Sequence, residues 1–187
     1  MILTAIRHTS VDVPSGICYG ISDVPLADSF PEEAAQIQAQ LNGWQFDRIY
    51  SSPLKRCTQL ASVLFQEEKI TMDDRLRELD FGDWEMQSWN DIPRGLVDVW
   101  AEDHVRHVPP NGESFLQLSQ RVQAFIAELQ HDDQPALVFT HAGVIRALTG
   151  YALELPLVHT FKLQVDYASV SKIILDDRVT KVAYVNR

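Results

Sequence analysis

The sequence predicts an α/β protein, a three-layer α/β/α sandwich with a mostly parallel central sheet. Two observations support this class. Strand-like and helix-like segments alternate along the 187 residues, and the apolar run 136–140 is typical of a strand covered on both faces. The sequence shows no repeat, low-complexity tract or linker that would divide the chain. We therefore expect a single domain that spans residues 1–187.

Apolar spacing and turn residues define the predicted elements. Residues 2–6 form an apolar run that predicts the first strand, and they lack the basic leader and cleavage site of a signal peptide. Ser52 and Pro53 are typical of a helix cap and first helical position, so the helix with the apolar stripe 57–65 should begin there. Residues 84–110 should form a short helix with loops over one end of the sheet. The remaining predictions are helices at 31–41, 115–129 and 143–152 and strands at 48–50, 136–140, 169–175 and 179–185.

Composition and charge exclude several classes of protein. The 16 basic and 26 acidic residues give a formal charge of −10, and no basic stripe for nucleic acid is present. The apolar runs are too short to span a membrane. Cys18 and Cys57 occur without an export signal, so we expect reduced thiols and a cytoplasmic protein. A homo-oligomer is compatible with the sequence, but no feature predicts one.

Residue types that bind phosphate follow three of the predicted strands. The first strand ends at Arg7-His8, the second leads into 51–56, and the third leads into 141–143. Ligands of α/β sheets bind at the carboxyl ends of the strands, and the N–H groups of helices that begin there suit an anion. Taken singly, each segment also fits an ordinary surface or core position. Together they predict a cationic cluster at one sheet edge, which favours an anionic ligand in a protein of this charge.

The chain contains five motifs in order: Arg7-His8-Thr9, Ser51-Ser52-Pro53-Leu54-Lys55-Arg56-Cys57, Leu76-Arg77-Glu78-Leu79-Asp80-Phe81-Gly82-Asp83-Trp84-Glu85, Pro110-Asn111-Gly112-Glu113-Ser114 and His141-Ala142-Gly143-Val144-Ile145-Arg146. Together they resemble the histidine phosphatase superfamily, the phosphoglycerate-mutase-like group. The resemblance covers nearly the whole chain. It implies the phosphoglycerate-mutase-like fold and a metal-independent phosphomonoester hydrolase without a cofactor.

The loop 18–26, the Arg-His-Thr start and the compact length most resemble the α-ribazole phosphatases, which act late in the assembly of the lower nucleotide loop of cobalamin. The resemblance implies a small-molecule phosphate monoester as substrate, with α-ribazole 5′-phosphate as the candidate. Alternatives are a phosphoglycerate-mutase-type phosphotransferase, a broad-specificity small-molecule phosphatase and a non-catalytic phospho-ligand-binding protein. The short connection between Glu85 and Gly112 favours hydrolysis over mutase activity, and the presence of His8 and Glu78 argues against a non-catalytic protein.

The resemblance also implies a role for the charged site residues. His8 is the nucleophile, whose neutral imidazole attacks phosphorus and forms a phosphohistidine. Arg7, Arg56 and His141 bind the phosphoryl oxygens and stabilise their charge in the transition state. His141 serves this role when protonated, a form that a bound anion favours.

Glu78 is implied to protonate the leaving oxygen and then to take a proton from the attacking water. Spacing alone does not separate Glu78 from the other acids between residues 73 and 85, which can all be solvated, and Glu85 is kept as the reserve. Ala142, Ser22 and Tyr19 are further substrate-binding candidates. Ser22 or a backbone N–H would replace a phosphate-contacting Asn that is common in the family and absent here.

Some positions depart from the family's commoner pattern. Thr9 stands where many members have Gly, so this turn should not need a positive φ. Met86 and Asn111 also stand at glycine positions and should alter the local loop shape. No metal site is predicted: His104 and His107 should be a solvated surface pair, and His131 and His159 should also lie on the surface. Trp84, Trp89 and Phe115 could join Tyr19 in an aromatic pocket, with core packing as the default.

Overall fold

The computed structural model describes residues 1–130, 134–176 and 178–187. Within these residues six strands form one sheet in the order β3-β2-β4-β1-β5-β6. Neighbours among β1 to β4 pair in parallel, whereas β5 pairs antiparallel with both β1 and β6. This confirms the predicted, mostly parallel sheet. The strands are β1 (Ile2–Arg7), β2 (Arg48–Ser51), β3 (Ile70–Met72), β4 (Ala136–Thr140), β5 (Val170–Ile174) and β6 (Lys181–Tyr184).

Helices cover both faces of this sheet, as the three-layer prediction requires. One core joins β1 and β4 to α4 and α5, and the other joins the opposite face of the same strands to α1 and α2. The α-helices are α1 (Phe30–Leu41), α2 (Lys55–Leu64), α3 (Arg94–Glu102), α4 (Phe115–Leu129), α5 (Ala142–Ala152) and α6 (Leu157–Thr160). In the described part of the chain, no helix is long and apolar enough to cross a membrane.

Strand β4 shows why its sequence is apolar throughout. All five of its residues are buried, and successive side chains point to opposite faces of the sheet. Ala136 and Val138 belong to the core with α4 and α5, whereas Leu137 and Phe139 belong to the core with α1 and α2. The predicted strand 136–140 is therefore confirmed, and it lies between β1 and β2 at the centre of the sheet.

Two predictions about local structure were wrong or incomplete. Helix α2 begins at Lys55 rather than at Pro53, because Leu54 keeps an extended backbone and no side chain caps the helix. The hydroxyl of Ser52, the predicted cap, accepts from the backbone N–H of Leu54 at 3.3 Å, ahead of the helix, and also bonds the ring of His141. The short strand β3 was not predicted, since its three residues are too few for an alternating pattern to emerge.

The tryptophan-rich stretch packs mainly with itself. Trp84 and Ile92 are buried with Cys18, and Trp89 and Trp100 pack against them beside α3. Core packing is thus confirmed for Trp84, and also for Phe115, which is buried in the core with α4. Neither side chain is available to line an aromatic substrate pocket.

Two glycine-like backbone positions carry larger residues. Met86 and Asn111 have φ values of 62° and 60°, the left-handed region that glycine occupies without steric cost. The expectation that these substitutions alter the loop shape therefore finds no support in the backbone. Thr9, in contrast, is not among the residues with positive φ, as expected for a β-branched side chain.

Candidate active site

The carboxyl ends of three adjacent parallel strands bring the candidate residues together. The backbone N–H of His8, just after β1, donates to the carbonyl of Thr140 at 3.0 Å. The backbone N–H of Ser52, just after β2, donates to the carbonyl of Phe139 at 2.9 Å. These bonds extend both strand pairs with β4 by one residue. The side chains that follow β1, β2 and β4 therefore meet at one edge of the sheet, as the sequence predicts.

His8 is held in one tautomer. Its Nδ1 lies 2.8 Å from the carbonyl oxygen of Thr9, and because a carbonyl only accepts hydrogen bonds, Nδ1 carries the proton. The lone pair of Nε2 therefore points into the cluster, where it accepts from Nε of Arg56 at 3.2 Å. Only 2% of the His8 surface is exposed. The ring is thus a fixed, neutral imidazole with its basic nitrogen facing the candidate phosphate site.

Arg56 lies between the two histidines and is fully buried. Its Nε–H is shared between Nε2 of His8 and Nδ1 of His141, at 3.2 and 3.3 Å. The outer nitrogens donate to backbone carbonyls, one to Ser22 at 2.7 Å and the other to Gly20 at 2.5 Å. The guanidinium is therefore anchored at its far end, and its Nε edge faces both imidazoles.

His141 is the residue that separates β4 from α5. Because its Nδ1 accepts from Arg56, its Nε2 carries the proton and donates to the hydroxyl of Ser52 at 2.8 Å. Ala142, the other candidate from this motif, is buried at the first position of α5. The thiol of Cys57 lies 3.5 Å from Nε2 of His141, and burial raises the pKa of this thiol to about 12. Cys57 is therefore a neutral packing partner of the ring.

Burial and neighbouring cations keep both imidazoles neutral. Burial lowers the pKa of His8 well below its ordinary value, and the charges of Arg56 and Arg7 lower it further. Burial likewise lowers the pKa of His141, with additional effects from Arg56 and His8. Without an anion, His141 is thus neutral rather than protonated. Neutrality suits a nucleophile at His8, whereas a cationic His141 requires a negative ligand in the cluster.

Arg7 carries the third predicted cation and contacts a tyrosine that the sequence analysis missed. Its guanidinium carbon lies 3.7 Å from the ring centre of Tyr167, and its Nη1 donates to the carbonyl of Val165 at 2.6 Å. The Tyr167 ring centre is 5.4 Å from that of His8, and its hydroxyl lies 2.5 Å from that of Tyr19. Tyr19 therefore lies beside the cluster, and its role in substrate binding stays a prediction. Tyr167 precedes β5 without a motif, so no sequence signal marked it.

Glu78 lies at the edge of the cluster and is held by backbone groups. One carboxylate oxygen accepts from the N–H of Gly143 at 3.1 Å, and the other accepts from its neighbour Leu79 at 2.9 Å. Arg121 donates to the carbonyls of Arg75, Arg77 and Glu78 at 2.6 to 3.0 Å, which fixes the backbone on which Glu78 stands. Glu78 is half-buried and lines a cavity of about 280 Å³ at the surface.

Glu85, the reserve candidate, has a different environment. Its carboxylate accepts hydrogen bonds from the backbone N–H groups of Gly20, Ile21, Ser22 and Phe81, at 3.0 to 3.1 Å. The hydroxyl of Ser22 also donates to it, at 2.6 Å. Both oxygens are therefore committed to donors of the chain. The same contact engages the Ser22 hydroxyl, which was a candidate phosphate donor.

The two helix ends that were expected to receive the substrate anion hold carboxylates of the chain instead. At the start of α5, the N–H of Gly143 bonds Glu78, as described above. At the start of α2, the N–H of Lys55 donates to the carboxylate of Asp23 at 2.8 Å. Positive helix ends attract the nearest available anion. At each helix start, one backbone N–H is therefore already occupied by a carboxylate of the chain.

The other histidines lie outside this cluster. His104 is half-buried, with its ring centre 4.4 Å from that of Phe161, so the predicted solvated pair with His107 was wrong for this residue. His107 and His159 are exposed as predicted, and His131 lies outside the described residues. Among the described residues, no group of three or more His, Cys, Asp or Glu side chains could hold a metal ion.

The chain belongs to branch 1 of the histidine phosphatase superfamily, whose sequence profile matches residues 3–187. The fold described above is the one that members of this superfamily share, as the structural similarity below shows. The resemblance of the five motifs is thereby confirmed, and the protein is a phosphatase.

Relatives with named activities are similar to this chain over most of its length. The chain is 30% identical over 196 residues to the adenosylcobalamin/alpha-ribazole phosphatase of Escherichia coli K12, a match that covers all of this chain and 96% of that protein. The alpha-ribazole phosphatase structure from Shigella flexneri superimposes with a TM-score of 0.90 at 28% identity, covering 100% of this chain and 96% of that one. A probable phosphoglycerate mutase of Salmonella arizonae is 31% identical over 166 residues, which are 82% of this chain and 75% of that protein.

The neutral, buried imidazoles predict a loss of stability in mild acid. As the pH falls below about 6.5, the unfolded chain protonates His8 and His141, whereas the folded protein resists protonation. Each ring should lower the free energy of unfolding by about 1.4 kcal/mol per pH unit in that range. Urea unfolding between pH 7.5 and 5.5 measures this slope.

Two variants test whether the buried histidines cause the slope of the unfolding free energy against pH. His8→Asn should make it shallower, because one of the two titrating rings is removed. His159→Asn, at an exposed position, is the matched control and should leave it unchanged. Unfolding free energies that stay flat across this range, or an unchanged slope in His8→Asn, would contradict the neutral-imidazole description.

Proposed function

We propose that this phosphatase hydrolyses phosphate monoesters through a phosphohistidine intermediate on Nε2 of His8. One observation carries the proposal: Nδ1 is protonated and fixed by the Thr9 carbonyl, so the lone pair of Nε2 faces Arg56 and His141. A nucleophile of this kind needs no base to remove a proton from it. The three buried groups converge on a small volume in which a phosphoryl group can replace the bond between Arg56 and His8.

In the first step, Nε2 of His8 donates its lone pair to phosphorus while the bond from phosphorus to the ester oxygen breaks. The protonated carboxyl of Glu78 gives its proton to the leaving oxygen, and an alcohol departs. In the second step, water attacks the phosphohistidine and Glu78 takes the water's proton. The phosphorus–nitrogen bond breaks, inorganic phosphate forms, and Nε2 regains its lone pair.

The cationic groups stabilise the charge on the phosphoryl oxygens. Arg56 is already oriented with its Nε–H toward the site. The Nε–H of Arg7 is buried and makes no hydrogen bond in the described structure, so a phosphoryl oxygen would satisfy a donor that is otherwise costly to bury. The phosphate dianion also favours protonation of His141, which then becomes a third cationic donor.

Access to His8 requires side chains to move, since only 2% of the ring surface is exposed. The ring of Tyr167 contacts both Arg7 and His8, and its hydroxyl is hydrogen-bonded to that of Tyr19. We propose that this tyrosine pair separates when the substrate enters. Its faces can then stack on a flat group of the substrate.

We propose α-ribazole 5′-phosphate as the natural substrate and the cytoplasm as the location. The substrate assignment is supported by the Escherichia coli and Shigella flexneri relatives and by the tyrosine pair, which suits a flat heterocycle. The buried free thiols of Cys18 and Cys57 suit a reducing compartment.

Turnover of α-ribazole 5′-phosphate should exceed that of phosphoglycerates and sugar phosphates. Preferential transfer of phosphate between phosphoglycerates would instead favour the mutase alternative, and equal rates on all of them would favour a broad-specificity phosphatase.

The phosphohistidine predicts a characteristic label. Brief incubation with a ³²P-labelled phosphate monoester, followed by quenching in base, should leave phosphate on the protein that is stable in base and released in acid. His8→Ala should abolish the label, because the only proposed nucleophile is removed, while circular dichroism shows a folded protein. His159→Ala is the matched control and should keep the label. A label that persists in His8→Ala would contradict the proposal.

The role of Glu78 predicts a dependence on the leaving group. Glu78→Gln should slow the hydrolysis of alkyl phosphates by about 100-fold or more, and that of p-nitrophenyl phosphate far less, because nitrophenolate departs without a proton. Gly143→Ala should act in the same direction. A Cβ at Gly143 would lie 2.2 Å from a carboxylate oxygen of Glu78 and would displace that side chain.

Gly95→Ala is the matched control for the glycine variant. A Cβ at this position in α3 meets no atom within 4 Å, so activity should be unchanged and stability should rise by about 0.5–1 kcal/mol. Equal losses of alkyl and nitrophenyl phosphate turnover in Glu78→Gln would show that another group supplies the proton.

A further inference from the structure

Residues 20–22, the site loop, connect a carboxylate to the central arginine of the site. Gly20 and Ser22 each make two backbone hydrogen bonds. The N–H donates to the carboxylate of Glu85, and the carbonyl accepts from the guanidinium of Arg56. Arg56 and Glu85 thus bind opposite sides of the same short segment. Hydrogen bonds that run in series through peptide groups polarise one another, so the two charged ends strengthen the whole chain of contacts.

Backbone geometry brings the site loop close to its anchor. A Cβ at Gly20 would lie 1.7 Å from the carbonyl oxygen of Leu79 and 2.9 Å from Oε1 of Glu85, so only glycine permits this approach. On the other side, the N–H of Met86 donates to the carbonyl of Cys18 at 2.7 Å, and the N–H of Cys18 donates to Gln87 at 2.8 Å. The chain segments that carry Glu85 and the site loop are therefore paired directly.

We infer that Glu85 is a positioning residue that acts through the site loop on Arg56. The inference deepens the proposed function and rests on it. The two loop carbonyls determine where the far end of the guanidinium lies, and its Nε–H edge faces both His8 and His141. Without the four hydrogen bonds that residues 20–22 donate to Glu85, the loop carbonyls lose their fixed positions. Arg56 then binds the phosphoryl group in a less favourable geometry.

The substitution Glu85→Gln tests this role with little change in shape. An amide nitrogen cannot accept hydrogen bonds, so one side of the substituted side chain would face the loop N–H groups with a donor. Misplacement of a binding group by about 1 Å can cost about 100-fold in rate, and we expect kcat/KM for p-nitrophenyl phosphate to fall by about that factor. The dissociation constant for orthovanadate, measured without turnover, should rise by about tenfold or more.

The matched control is Glu33→Gln. Glu33 anchors both ends of residues 10–29, the segment that contains the site loop, because it accepts from the backbone N–H of Ser10 at 2.7 Å and from the hydroxyl of Ser29. No contact joins Glu33 to Arg56 in the described structure, so this variant should retain kcat/KM to within about twofold. A loss as large as that of Glu85→Gln would show that any anchor of the segment matters, and would overturn the specific role of Glu85.

A double-mutant cycle separates action through Arg56 from a general structural role. Lysine at position 56 cannot bond both loop carbonyls and both imidazoles. If Glu85 acts through Arg56, Glu85→Gln should change kcat/KM less than about threefold in an Arg56→Lys background. Multiplicative losses in the double variant would overturn the inference.

Leaving-group dependence provides the remaining test. Glu85→Gln should slow alkyl and nitrophenyl phosphates by the same factor, whereas a selective loss on alkyl phosphates would make Glu85 the proton donor and overturn the positioning role. Failure of the proposed function would be distinguishable, because the wild-type enzyme would then carry no phosphohistidine label. If the wild-type enzyme does carry the label, multiplicative losses of kcat/KM in the double variant contradict only the role of Glu85.

Discussion

The shared hydrogen bond from Arg56 to His8 and His141 is the contact on which the site depends. A fully buried guanidinium is costly unless its nitrogens find hydrogen-bond acceptors. Here the acceptors are two neutral imidazoles on one side and two backbone carbonyls on the other. Because imidazoles are weaker hydrogen-bond acceptors than an anion, a phosphoryl group between the three side chains would lower the free-energy cost of burying the guanidinium. Burial, and then the same positive charge, lower the pKa of His8 and keep its lone pair free of a proton.

Fixed carboxylates surround this cationic centre without neutralising it directly. Glu78 bonds the first turn of α5, Asp23 bonds the first turn of α2, and Glu85 bonds the site loop. Each is thereby held by backbone N–H groups rather than by Arg56. This arrangement leaves the arginine available to the substrate while opposite charge remains nearby. It also assigns different tasks to similar residues, since Glu78 lines a surface cavity of about 280 Å³, whereas both oxygens of Glu85 accept from N–H and O–H donors of the chain.

Sequence reasoning predicted the features that depend on local pattern. Apolar periodicity located β1, β4 and α4, and the strand-end rule brought Arg7, His8 and His141 to one edge of the sheet. The features it missed depend on contacts between distant segments. The Ser52 hydroxyl contacts the ring of His141, which follows β4, and the first turns of α5 and α2 hold Glu78 and Asp23. Tyr167 and the loop-binding role of Glu85 also involve partners far along the chain, which no local pattern encodes.

The most direct test of the central claim is a crystal structure of the protein with orthovanadate, which mimics the pentacoordinate phosphorus of the transition state. We expect vanadium bonded to Nε2 of His8, with Nδ1 still donating to the Thr9 carbonyl. Vanadate oxygens should contact Arg7, Arg56 and His141, and the bond from Arg56 to Nε2 of His8 should be absent. Vanadate bound elsewhere, with the bond from Arg56 to His8 intact, would contradict the account.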